Sequence, residues 1–168
     1  MFIQRSKHLR TTKRIRVSEG RDLENGLRLD RNERVEAWGE SFIANVFKDS
    51  PDWLMSVYPE NNKLYEKLSK FLNVDKENLL LTSGIDGGIK TIFEVMTSPG
   101  DLIGVLSPTY AMYKIYSNLY QTNLSEINYE KDNKLNLNKV VSFIQKKPSI
   151  FFLPNPNQPI EDTLNIDQ

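Results

Sequence analysis

The chain has 168 residues, of which 39% are hydrophobic and 26% charged, the balance of one ordinary globular domain. It has no cysteine and one histidine, His8, which excludes disulfides, thiolate metal sites and cysteine nucleophiles, and leaves a Ser-His-Asp triad or a multi-histidine metal site without its imidazoles. The net charge of zero hides an asymmetry: all eight arginines lie in the first 34 residues, so any anion bound further along must be held by backbone amides or lysines.

Residues 1–26 read as a basic, solvated arm. The opening MFIQRSKHLRTTKRIRV has no apolar core of the kind a secretory signal needs, and no later stretch approaches the roughly 18 apolar residues of a membrane span. Together with the missing thiols this suggests a cytoplasmic protein. No aromatic residues interleave the arm's charges, so nucleic acid is not an expected partner, and without an apolar span neither is a membrane.

Residues 27–75 read as a helical segment. Leu27 to Asp30 has the pattern of a short strand. Trp38, Phe42, Ile43, Val46 and Phe47 predict a helix over 35–48, ended by Ser50-Pro51. An aromatic connection through Tyr58-Pro59-Glu60 leads to a second helix over 61–73. The pattern then alternates: strand 79–82, helix 86–97, a Pro99-Gly100-Asp101 turn, strand 102–106, helix 108–120, strand 124–129, helix 137–147 and strand 149–153. Strands apolar on both faces and separated by helices call for a mainly parallel sheet with helices on both sides, a three-layer α/β fold.

Three of these strands end in unusual chemistry. LLLTSGIDGG (79–88) passes from a strand directly into a helix, whose first N–H groups and positive dipole end suit a phosphate, although Ser83 or Gly84 could equally be a plain helix cap. Ligands of open α/β sheets sit at the carboxyl ends of the strands. There Tyr110, after Ser107-Pro108-Thr109, is placed for stacking on a planar ligand, whereas Tyr113, Tyr116 and Tyr120 read as a packing stripe. The amides of Asn155 and Asn157, in a frame stiffened by Pro156 and Pro159, could serve a phenolic or carboxylate oxygen, or the segment could be only a rigid exit from the sheet.

In order and spacing, Asn32-Glu33, Tyr58-Pro59-Glu60, TSGIDGG, the turn at 99–101, PTYAMY at 108–113 and NPNQP at 155–159 resemble the fold type I pyridoxal-phosphate aminotransferases, nearest to the histidinol-phosphate aminotransferase group. The resemblance implies pyridoxal 5'-phosphate as cofactor, amino-group transfer between an amino acid or amine and a 2-oxo acid, and a homodimer. It makes 76–168 the first part of the cofactor-binding domain. Carried over by position, the backbone of Gly84, Ile85 and Asp86 would hold the cofactor phosphate, Tyr110 would stack on the pyridine ring and Asn157 would bond its phenolic oxygen. Tyr58 would reach the phosphate in the partner subunit, and Asn32 and Glu33 would touch substrate.

The chain also departs from the family pattern. Where that pattern has a threonine and a glycine after the second proline, Ile160 and Glu161 stand here, and Arg34 follows Asn32-Glu33. The family's cofactor-linking lysine would lie beyond Gln168, so no catalytic residue is assigned and the chain alone is expected to be an inactive N-terminal part. The competing expectations are a decarboxylase or lyase of the same fold, and a non-catalytic binding or assembly module.

Overall fold

The computed structural model describes residues 6–10, 12, 26, 33, 34, 36–160 and 162–165. The strand expected at 27–30 and Asn32 lie outside them. The chain divides into two units, one of Thr82–Gln168 with Met1–Ile15, the other of Arg16–Leu81.

In the Arg16–Leu81 unit, helix α1 spans Glu40–Lys48 and α2 spans Asn62–Leu72. The expected start of α1 at residue 35 is corrected to Glu40. Gly39 holds the N-cap with an extended ψ of 140°, which breaks the helix ahead of it. Trp38 stacks on Phe42 instead, with ring centroids 4.5 Å apart, under the Arg34 guanidinium at 4.2 Å. Asn73 closes α2 in the left-handed region (φ 53°, ψ 47°), a conformation asparagine tolerates better than most side chains.

The strand expected at 79–82 does not form. Leu79 is extended, but no ladder pairs this stretch with the sheet formed by the described residues, and the Leu81 N–H donates to the Tyr65 hydroxyl at 3.1 Å. An apolar run becomes a strand only through a hydrogen-bonded neighbour, and local pattern says nothing about whether one exists.

The other unit contains α3 (Gly84–Met96), β1 (Leu102–Ser107), α4 (Met112–Leu119), β2 (Asn123–Asn128), α5 (Leu137–Ile144) and β3 (Ile150–Phe152). The three strands form an all-parallel sheet in the order β2-β1-β3, with Ile103 opposite both Leu124 and Ile150. Alternation along β1 divides the core. Ile103 and Val105 pack with Ile89 and Phe93 of α3 and with Met112, Tyr113 and Tyr116 of α4, while Leu106 packs with Ile127, Val140 and Phe143. Helices thus cover both faces, as the three-layer α/β reading requires.

Gly104, in the middle of β1, is fixed by space: a Cβ there would collide with the rings of Phe143 and Phe151. Phe93 is fully buried and its ring lies near those of Tyr116, Tyr120 and Phe152, so the tyrosine stripe of α4 is core packing. Helix α4 begins at Met112 rather than at Pro108, because residues 108–111 form the turn described below. Beyond β3, the Asn155 amide pairs with both backbone groups of Leu164 at 3.0 Å. Asp162 accepts from the Leu135 N–H and the Lys134 ammonium, each at 3.0 Å. No helix among the described residues is long and apolar enough to cross a membrane.

Candidate functional site

The turn that leads into α3 is shaped by Gly84. Its φ of +70° lies in the left-handed region, and its N–H turns back onto the Thr82 carbonyl at 2.8 Å while the Thr82 hydroxyl donates to the Gly84 carbonyl at 2.8 Å. Helix α3 follows at once, with Asp86 in its first turn and no side-chain cap from Ser83. Its leading amides, at Ile85 and Asp86, sit at the positive end of the helix dipole. Ile85, in the first turn of α3, is 76% exposed.

Tyr110 comes to the same place from the end of β1. Its hydroxyl donates to Asp86 Oδ1 at 3.4 Å, and its ring meets Tyr113 edge-on with centroids 6.3 Å apart. Edge-on packing leaves much of the ring uncovered, and Tyr110 is 43% exposed. The Tyr113 hydroxyl is buried beneath it and is pushed above the ordinary tyrosine range by that burial and by the neighbouring Tyr110.

Asn157 is tied to the turn that carries Tyr110. It is 1% exposed, and its Nδ2 donates to the Pro108 carbonyl at 2.9 Å and to the Tyr129 hydroxyl at 3.0 Å. Its Oδ1 accepts from the Thr109 hydroxyl at 2.6 Å. Both N–H groups of the amide have partners here, one of them the phenolic oxygen of Tyr129. Burial raises the Tyr129 hydroxyl, its bond to Asn157 pulls the other way, and Asp162 adds to the rise.

The structure thus brings Gly84, Ile85, Asp86 and Tyr110 together at one end of the sheet and ties Asn157 beside them. Tyr58, in the other unit, is 95% exposed, and Glu33 is exposed. Sequence reasoning missed Thr109 and Tyr129. Both follow the carboxyl ends of parallel strands, where ligand sites of open sheets lie, and that position was the available signal. No group of three or more histidines and carboxylates among the described residues is arranged for a metal ion.

A family model described as Aminotransferase class I and II matches residues 24–168. The chain is 36% identical over 142 residues to a histidinol-phosphate aminotransferase from Methanocaldococcus jannaschii, an alignment covering 81% of this chain and 37% of that protein. It is 33% identical over 127 residues to the histidinol-phosphate aminotransferase of Methanococcus aeolicus, covering 73% and 34%. The chain therefore spans little more than a third of the length of these curated relatives.

Among solved structures, the histidinol-phosphate aminotransferase of Sinorhizobium meliloti in complex with pyridoxal-5'-phosphate superposes with a TM-score of 0.63 at 18% identity, over 72% of this chain and 33% of that one. Cystalysin from Treponema denticola, which contains a pyridoxal 5'-phosphate cofactor, superposes with a TM-score of 0.62 at 17% identity, over 77% and 35%. At such identities the shared property is the fold.

Proposed function

Because the chain belongs to the class I and II aminotransferase family, we propose that it supplies the phosphate-binding and ring-stacking part of a pyridoxal-phosphate enzyme. The whole enzyme moves an amino group between an amino acid or amine, of histidinol-phosphate type, and a 2-oxo acid. The observation that carries this reading is the meeting of Tyr110 with Asp86 at the start of α3, 3.4 Å from hydroxyl to carboxylate. An uncapped helix start and an accessible aromatic ring side by side match the two ends of a phosphorylated pyridine.

The residues present fit that cofactor at its phosphate and at its ring. The amides of Ile85 and Asp86, which follow the left-handed Gly84, would hold the phosphate. Tyr110 would lie against the ring, its tilt set by the bond to Asp86. When bound, the cofactor supplies an electron-withdrawing ring that weakens the bonds at the substrate Cα. The chain's own contribution is to anchor and orient, and proximity of that kind accounts for much of the barrier lowering in two-reactant chemistry.

In a homodimer of such an enzyme, the exposed Tyr58 would serve the phosphate end of the partner's site, and Asn32 and Glu33 would meet substrate. A cytoplasmic setting agrees with the absence of cysteine.

The test is a titration of the 168-residue chain with pyridoxal 5'-phosphate, followed by incubation with an amino acid and a 2-oxo acid. Binding without turnover is expected, and Tyr110→Ala weakens it about tenfold, as the loss of one stacked ring implies. Sustained turnover by this chain alone, or full affinity in the Y110A variant, contradicts the assignment.

A further inference from the structure

We propose that residues 12–15 of the chain's own basic arm dock as a fourth strand on the outer edge of β2, with Arg14 on the side of Glu126. This docking does not depend on the cofactor.

In the order β2-β1-β3, β2 lies at the edge of the sheet, so the backbone groups on its outer side have no strand partner among the described residues. Alternation along β2 sends Leu124 to the face covered by α4 and Ile127 to the face covered by α5, and Glu126 and Ser125 follow them respectively. Each face leaves a hollow beside the strand. The one next to α4, about 540 Å³, is bordered by Leu124, Ile115 and Asn118; the one next to α5, about 470 Å³, by Ser125, Ile127 and Phe143. Glu126 borders both. A strand laid along an edge fills such a pair of hollows with its alternate side chains.

The arm already reaches this edge. Its short 3-10 turn, Lys7–Leu9, rests on α4. Thr12 is tied back to that turn by its N–H on the Leu9 carbonyl at 3.2 Å, and it borders the hollow on the α4 side. Lys13, Arg14 and Ile15 lie outside the described residues, but residues 1–15 group with the unit that holds the sheet. Continued along β2 from Thr12, a period of two puts Arg14 on the α4 side with Glu126, and Lys13 and Ile15 on the α5 side, the face of Ile127 and Phe143. The chemistry matches that parity. Glu126 is exposed and its carboxylate has no partner among the described residues, so a guanidinium alongside meets an uncommitted acid. The apolar member of the segment falls on the apolar face. The new outer edge would carry basic side chains, which discourage any further strand from adding.

The chain has no cysteine, so introduced pairs report placement without background. Cross-strand neighbours on one face have Cβ atoms about 4.5–5.5 Å apart, close enough for a disulfide once the backbone adjusts slightly. The full chain is prepared as Ile15→Cys with Ser125→Cys, as Lys13→Cys with Ser125→Cys, and as the opposite-face pair Arg14→Cys with Ser125→Cys. Each is treated with oxidised glutathione at low protein concentration and mapped by mass spectrometry. We expect an intrachain disulfide in I15C/S125C or K13C/S125C, whichever the register favours, and none in R14C/S125C. Adding Arg14→Glu to the linked pair should slow closure about threefold, as loss of an exposed ion pair implies, and adding Glu126→Arg as well should restore the rate.

A disulfide-linked dimer in place of the intrachain bond would put a second copy's arm on the edge and overturn the proposal. Equal linking by R14C/S125C, or no linking by any pair, would overturn it too. Hydrogen exchange gives a second reading without cysteines: Ile15→Asp should speed exchange of the backbone amides of 124–128 and leave α5 unchanged. Unaltered exchange in 124–128 contradicts the docking.

Discussion

Gly84 and Asp162 show how single residues set the turn before α3 and the segment after β3. At Gly84 a Cβ would meet nothing within 4 Å, so the cost of Gly84→Ala is conformational: φ of +70° penalises an L-side chain by about 1 kcal/mol. Urea unfolding should report that loss, together with weaker phosphate binding as the turn relaxes. At Asp162 the Leu135 N–H, then the Lys134 ammonium, hold the carboxyl below its ordinary range. Its folded value is depressed, so its contribution to stability is present above the unfolded value, about pH 4, and is lost as pH falls through the folded one. Asp162→Asn should therefore flatten the acid limb of stability measured by urea unfolding across a pH series. An unchanged acid limb would show that the clamp on residues 162–165 carries no stability.

At the scale of elements, the sheet depends on how closely α5 approaches β1. Gly104→Ala places a methyl group against Phe143 and Phe151 and should cost about 1–3 kcal/mol, the usual penalty for overfilling a packed core, read as a lower urea midpoint. The elements legible in advance were those whose pattern is self-sufficient. The helices carry periodic apolar faces, and β1 and β2 are apolar runs framed by turns. Of those that shifted or vanished, two depend on distant partners. The expected strand at 79–82 finds no ladder, and the first turn of the expected 108–120 helix is drawn into bonds with Asn157, 48 residues later in the chain. Composition at Pro108-Thr109-Tyr110 says nothing of that long-range demand. The same limit applied to Asn157: its type and its rigid frame were readable, but its bonds to Pro108, Thr109 and Tyr129 were not, because burial and long-range partners are properties of the folded site.

At the scale of the whole molecule, the chain is a member of an enzyme family of which it spans little more than a third. Its two units differ in kind: α3 to β3 enclose a core of fully buried side chains, whereas α1 and α2 bury none. The unit with the core also holds every described residue assigned to the cofactor from the same chain. Under the proposed function, anchoring and orienting a phosphorylated ring is the part these residues would play, and the account stands or falls on the phosphate. The most direct measurement is the affinity of the 168-residue chain for pyridoxine 5'-phosphate against pyridoxine, two ligands that differ only in that group. The account predicts at least about tenfold tighter binding of the phosphorylated ligand, since each charge-assisted bond from the α3 amides contributes roughly 1.5–3 kcal/mol. Equal affinity for the two, or no binding of either, would contradict it.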